Sequence, residues 1–300
     1  HNSHTEPGGT NTTPGHGNTD TTPTGGGHTD TPSTGGHGDG PSTGGGGHGD
    51  GPTVPHQGGG LPDHPGHGDE AWQRERGTAS TPADAISPET RLPDADGTHP
   101  AGHGEKLLDL FDLDSPRVTV GADDMITHID GKPVDQYLDE LAESRAQVYR
   151  DAKDAKKFVK GDVGACVGAV MDTRTGVVIE GINGRPDNVI PKEKVHPTLR
   201  AIYEEMAPNK PHPDQPLGHA EVKATNELLW ARTRLGLPDD ASVLKEIRAS
   251  VEFPFMKDRE TGVIGRGAPF CSNCYHMLPG VPSPHGRFTG YPPSDENWIP

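Results

Sequence analysis

Four side chains in two short motifs carry the chemistry open to this sequence. His219 and Glu221 belong to His219-Ala220-Glu221, and Cys271 and Cys274 to Pro269-Phe270-Cys271-Ser272-Asn273-Cys274. One imidazole and two thiolates form a zinc ligand set that leaves a fourth position open for water. Glu221, a carboxylate outside that set, is then placed to move protons between the water and a departing group. Each motif alone has a duller reading. The first is also an ordinary helix start with an acidic first turn. The second is also half of a structural zinc site or a redox pair. A structural Cys₄ site needs two more thiols, and Cys166 is the one cysteine left. A Cys₃His set can be written on paper, but Cys166 lies in mid-strand among Gly and Ala, where a thiol packs as a small hydrophobe. The order of the two motifs, each opening a helix with one strand between them, favours a joint catalytic zinc site.

The pattern of the chain supplies elements to hold these groups. Val134, Tyr137, Leu138 and Leu141 keep a 3–4 spacing that continues through Val148 and Phe158, so 134–159 is expected to be helical. Val163 to Met171 and Val177 to Ile182, joined by the turn residues Asp172 to Gly176, read as a hairpin. Thr198 to Met206 reads as a short helix, and Pro208 to Gly218 as a Pro-rich loop. In 219–235 the stripe Ala224, Leu228, Ala231, Leu235 predicts a helix that Gly236 and Pro238 end. Extended back three residues, the stripe reaches Glu221, and a carboxylate on an apolar face is costly without a partner or a task. Ile247 to Phe255 alternates apolar and polar residues as a strand, with Pro254 marking an edge or the end of pairing. A helix bearing both cysteines ends at Pro279. The sheet needs a further strand from upstream, for which Val118–Val120 and Met125–Ile129 are the candidates.

Composition separates this region from what precedes it. Residues 1–104 hold 26 of the 42 Gly and 11 of the 17 His, with no Lys and no Cys, while hydrophobic residues are 29% of the whole chain. Such a stretch is expected to be a disordered tether, since it buries too little apolar surface to offset its ordering entropy. His37-Gly38-Asp39-Gly40-Pro41 recurs as His48-Gly49-Asp50-Gly51-Pro52, a repeat too short and Gly-rich for a solenoid. Residues 105–133 read as a transitional segment, with Leu107, Leu108, Leu110, Phe111 and Leu113 as an apolar cluster that docks on the domain, and 134–300 as the catalytic domain. The net charge of −17 argues against loose, charge-driven binding to bulk nucleic acid. Three cysteines make a poor disulfide framework. No apolar run is long enough to span a membrane, so membrane insertion is not expected. His1 opens inside low-complexity sequence, so the chain reads as the C-terminal piece of a longer one, with any export signal upstream.

Gly218-His219-Ala220-Glu221-Val222 and Ala268-Pro269-Phe270-Cys271-Ser272-Asn273-Cys274 resemble the YwqJ-like deaminases of bacterial polymorphic toxins, within the zinc-dependent nucleoside and nucleic-acid deaminase superfamily. The resemblance covers roughly residues 134–300. In this chain Phe270 stands between Pro269 and Cys271, where the superfamily usually places the Pro directly before the first Cys. The resemblance implies an α/β, three-layer cytidine-deaminase-like fold with a mixed β-sheet. It implies Zn²⁺ on His219, Cys271 and Cys274, and Glu221 as the catalytic proton shuttle that turns cytosine or adenine into its hydroxyl counterpart with loss of ammonia. It also implies a nucleic-acid or nucleotide substrate, a cognate immunity protein, and secretion to act in the cytoplasm of a target cell. Related deaminases often place a residue that touches sugar or base where Asn183 ends the second strand, although a turn Asn before Gly184 is equally natural. His196 lines the pocket or is a surface-loop His, and Phe270 or Tyr275 stacks on a base or simply packs. A catalytically inactive, zinc-stabilised binding module is the alternative to an enzyme.

Overall fold

The computed structural model describes residues 69–91, 105–157 and 159–300. In chain order these form α1 (Asp69–Glu75), α2 (Pro82–Ala85), α3 (Pro88–Arg91), β1 (Glu105–Leu110), β2 (Val118–Val120), β3 (Ile126–Ile129), β4 (Lys132–Pro133) and α4 (Val134–Asp154). There follow α5 (Lys160–Val163), β5 (Val167–Asp172), β6 (Val177–Ile182), α6 (Pro197–Met206), α7 (Ala220–Leu235), β7 (Ile247–Lys257), β8 (Ile264–Gly267), α8 (Ser272–Met277), β9 (Arg287–Phe288) and β10 (Trp298–Ile299).

Five strands make one sheet in the order β1-β6-β5-β7-β8. All four of its pairings are antiparallel, so the mixed sheet expected above is corrected to an antiparallel one. The β5–β6 hairpin dictates the first pairing, and β7 lies antiparallel to β5 on its other side, from Val167↔Glu252 to Asp172↔Ile247. Pro254, which has no N–H to give, falls just past the last residue of β7 paired with β5 and inside an irregularity of the β7–β8 ladder. The added strand is β1, read from sequence as a docking cluster, while the two candidates named above pair with each other and with β4 in a separate small sheet. The closing segment likewise forms its own two-stranded ribbon, β9–β10.

Helices cover both faces. Strand alternation sends Ala169, Met171 and Val178 towards Val134, Leu138 and Ala142 of α4. It sends Val170, Val177, Ile179, Ala249 and Val251 towards Ala224, Leu228 and Ala231 of α7, with Cys274 and Met277 of α8 in the same cluster. The central helix α7 is buried around almost its whole circumference. Its polar residues survive there because each finds a partner. Lys223 Nζ donates to the Ile182 and Asn183 carbonyls at 3.1 and 2.9 Å. Arg232 forks onto Asp172. Glu227 Oε1 accepts from Ser87 N and Oγ at 2.8 and 2.6 Å. Gly236, at φ 70°, supplies the left-handed residue that ends the helix.

That last contact of α7 alters the reading of the N-terminal tract. Residues 69–91, assigned by composition to the tether, are three short helices, of which α1 and α2 pack on α7 and α3 on β1. Ala85 and Ile86 enter the main core, Trp72 Nε1 donates to Asp239 at 2.8 Å, and Arg234 Nε donates to Glu75 at 2.9 Å. A composition averaged over 104 residues hides a stretch this short. The repeat at 37–52 and the rest of the tether lie outside the described residues.

Candidate metal centre and active site

Two helix starts meet at one end of the α7 face of the sheet. His219 occupies the cap position of α7, after a tight turn at Pro216–Gly218. Cys271 caps α8, and its Sγ accepts the Cys274 amide at 3.4 Å. The approach of α7 to the sheet depends on Gly181, where a Cβ would lie 2.0 Å from the Ala220 carbonyl oxygen. Any larger residue on β6 would push the catalytic helix start off the sheet.

His219 Nδ1 lies 2.9 Å from Cys274 Sγ and 3.5 Å from Cys271 Sγ, and the two sulfurs are 3.4 Å apart. A tetrahedron with ordinary Zn–S and Zn–N bonds needs ligand–ligand edges of about 3.5–3.8 Å. The Cys271–His219 edge reaches this at 3.5 Å, the sulfur–sulfur edge at 3.4 Å falls just short, and the Cys274–His219 edge at 2.9 Å is the tight one. The donor set of one imidazole and two thiols, all aimed at one point, therefore fits zinc. Cys166 is outside the set. Its thiol, half-buried beside the core, is held in its neutral form by burial first and then by the negative charge of Glu221 and Cys271.

Electrostatics follow the same geometry. The Cys271 thiol is pushed well below its usual range, chiefly by the hydrogen bond from Cys274, and then, against the effect of burial, by His212 and His219. Glu221 is buried at the first turn of α7, within hydrogen-bonding reach of Cys274, and its carboxyl is raised, first by burial. It sits next to the ligands without being one of them.

Three further residues build the centre that sequence reasoning missed. Asp214 Oδ2 lies 3.0 Å from His219 Nε2, which fixes the ring so that Nδ1 faces the sulfurs. This contact holds the Asp214 carboxyl below its usual range. Asn273, an interior residue of the C-x-x-C, is fully buried. It donates from Nδ2 to Asp214 Oδ1 at 2.5 Å and accepts the His212 amide at 3.0 Å. It thereby ties the Pro-rich loop to α8. His212 packs its ring against Cys271, and its pKa is raised first by that hydrogen bond. Their signal in sequence was nil: the contacts to Asn273 join positions 59 and 61 residues apart, and Asp214, five residues before His219, is one polar residue in a Pro-rich loop. Asp214→Asn should weaken metal affinity by about 10–100-fold, as loss of an orienting carboxylate does. Competition with a chromophoric chelator reads this directly, and an unchanged affinity would remove Asp214 from the centre.

The three expected substrate contacts fare differently. Asn183 is at the site: its Oδ1 accepts the Ala220 amide at 3.0 Å, one residue from both His219 and Glu221. His196 is not. Its ring is buried near the far end of α7, with Nε2 2.9 Å from Thr233 Oγ1 and Nδ1 accepting the Thr198 amide as the cap of α6. Thr233 is nearly four helical turns from His219, roughly 20 Å at the standard rise. Phe270 is 1% exposed in the main core, so its ring is packing material with no face left for a base. Tyr275 is the exposed aromatic of α8, with the Arg287 guanidinium 3.8 Å above its ring.

Comparison with known proteins agrees with this geometry. The family model described as YwqJ-like deaminase matches residues 150–281, a span that holds β5 to α8 and every residue of the centre. No curated protein and no solved structure matches the chain.

Proposed function

With residues 150–281 a YwqJ-like deaminase domain, we propose that the protein is a zinc-dependent hydrolytic deaminase of a nucleobase, cytosine or adenine, in nucleic acid or a nucleotide. The observation that carries the reading is the convergence of His219, Cys271 and Cys274 beside a buried Glu221 that is not a ligand.

His219 Nδ1 and the two sulfurs would hold the ion, with Asp214 orienting the imidazole through Nε2. A zinc ion held there would supply Lewis acidity and a water acidified towards neutrality. Glu221 would carry both protons of the attacking water, the first to the ring nitrogen of the base and the second, from the newly added hydroxyl, to the departing amine. The base exchanges a C–N bond for a C–O bond, and the amine leaves as ammonia. Burial raises the Glu221 carboxyl above its ordinary value, which brings it closer to a group that both accepts and releases a proton. The amide group of Asn183, fixed through its Oδ1, is offered to the sugar or base.

The setting we propose is that of a C-terminal toxin domain of a secreted bacterial polymorphic toxin, acting in the target-cell cytoplasm and neutralised by an immunity protein. Support comes from the motif resemblance and from the Gly/Pro/His-rich tract ahead of the domain. Among the described residues no helix is long and apolar enough to cross a membrane. An inactive zinc-stabilised module is the competing reading, and it leaves the buried Glu221 without a task.

The test is ammonia release by the zinc-loaded full chain, offered single-stranded DNA, RNA and free nucleosides and nucleotides in parallel. The full chain is needed because α1–α3 contribute to the core. Release from one class is expected and identifies the substrate. No release from any class, with one zinc per chain, would turn the reading to the binding module.

A further inference from the structure

A second cluster of ligating side chains stands on the opposite face of the sheet, under α4. Asp139 of α4, Glu252 of β7 and His285 of the loop after α8 each offer one ligand atom, all within 4.8 Å of one another. His285 Nε2 lies 2.8 Å from Asp139 Oδ1. The buried Ser250 hydroxyl donates to the same oxygen at 3.0 Å. Two features mark this as more than a surface ion pair. Glu252 is 6% exposed, and no hydrogen bond reaches its carboxyl from any described residue, so a buried carboxylate points into the cluster without a donor. The His285 ring is seated on the backbone of β8, where a Cβ on Gly267 would come within 2.3 Å of it, so the fold holds the ring in place.

We propose that Asp139, Glu252 and His285 form a second metal site, for a divalent first-row cation that accepts mixed oxygen and imidazole ligands, such as Mn²⁺. Two carboxylates and one imidazole suit such an ion, and the absence of a thiolate sets it apart from the His219 centre. The cation takes the place of the proton shared between His285 Nε2 and Asp139 Oδ1 and gives Glu252 the partner it lacks. Glu252 is raised to about 7, first by burial and then by Asp139 and Glu143, with His285 and Arg150 opposing. A bound cation relieves that cost. The site joins α4, β7 and the loop whose next residue, Gly286, accepts the Phe270 amide at 3.0 Å. It therefore braces the backbone directly ahead of Cys271.

The experiment is a Mn²⁺ titration of the zinc-loaded full chain, with free Mn²⁺ read by electron paramagnetic resonance and melting followed in parallel. One saturable site is expected that raises the melting temperature. Glu252→Gln and His285→Asn should each weaken it at least tenfold and abolish the thermal shift, while His128→Asn, on the small sheet, should change neither. If either variant fails to melt cooperatively without Mn²⁺, Asp139→Asn, at a half-exposed position, is read in its place. A wild-type chain with no saturable site, or variants that bind as wild type does, would overturn the proposal. Binding to the His-rich N-terminal tract would show as the second of these outcomes.

Discussion

Glu221→Gln is expected to abolish measurable ammonia release while the chain keeps its metal and its melting temperature. The substitution preserves shape and removes the buried carboxyl beside the ligands that is proposed to carry the protons. General acid–base catalysis by a positioned side chain contributes about 10²–10⁴-fold. Here one carboxyl serves three transfers, so the upper part of that range is expected. Zinc per chain, measured by elemental analysis, should be unchanged, because Glu221 is not in the ligand set. The paired readout separates catalysis from architecture. Loss of both zinc and activity would recast Glu221 as a ligand or a support, and retention of full activity would remove it from the mechanism.

Arg232→Met should be the most destabilising single change in the body of the domain. The Arg232 side chain is fully buried on α7. Its Nε and Nη2 donate to the two Asp172 oxygens at 2.7 Å each, Nη2 also to Glu246 Oε2 at 2.6 Å, and Nη1 to the Pro238 carbonyl at 3.2 Å. Methionine fills much of the volume but leaves Asp172, itself buried, without its counter-charge. Breaking a buried pair from one side costs about 3–5 kcal/mol, a large part of the 5–15 kcal/mol that stabilises a typical domain. Urea unfolding should show the loss as a lower midpoint at constant slope. Adding Asp172→Leu should recover part of it, since the stranded charge is then gone. Arg117→Met, which removes the exposed bidentate pair with Asp130, is the control and should leave the midpoint nearly where it was. Equal losses in the two variants would mean that the buried network is no stronger than a surface one.

The residues proposed to perform the chemistry were legible in sequence because their signal is local. His219 and Glu221 at one helix start, and Cys271 and Cys274 at another, are defined by residue type and by a spacing that one helical turn fixes. The apolar stripe of α7 and the alternation of β7 were legible for the same reason, since each is a period of 3.6 or 2 within a single element, and the hairpin β5–β6 was marked by turn residues between two apolar runs.

What tertiary structure decided is which distant segments meet. Strand direction across β5–β7, the recruitment of β1 in place of β2 or β3, and the packing of α1 and α2 on α7 all depend on competition among surfaces that no single element encodes. The fates of His196 and Phe270 show this at the level of side chains. Both types suit a pocket, but His196 sits where α6 starts beside the far end of α7, and Phe270 turns inward where its backbone pairs with Arg287 and Phe288. Asp214 and Asn273 show the converse. Each is an unremarked polar residue of a loop or helix until the fold turns Asp214 onto the His219 ring five residues on, and a contact spanning 59 residues sets Asn273 against the loop that carries Asp214. Residue type and period establish which atoms are able to react. The distance between them, and therefore the ligand set and its supports, is set by packing between elements remote in the chain.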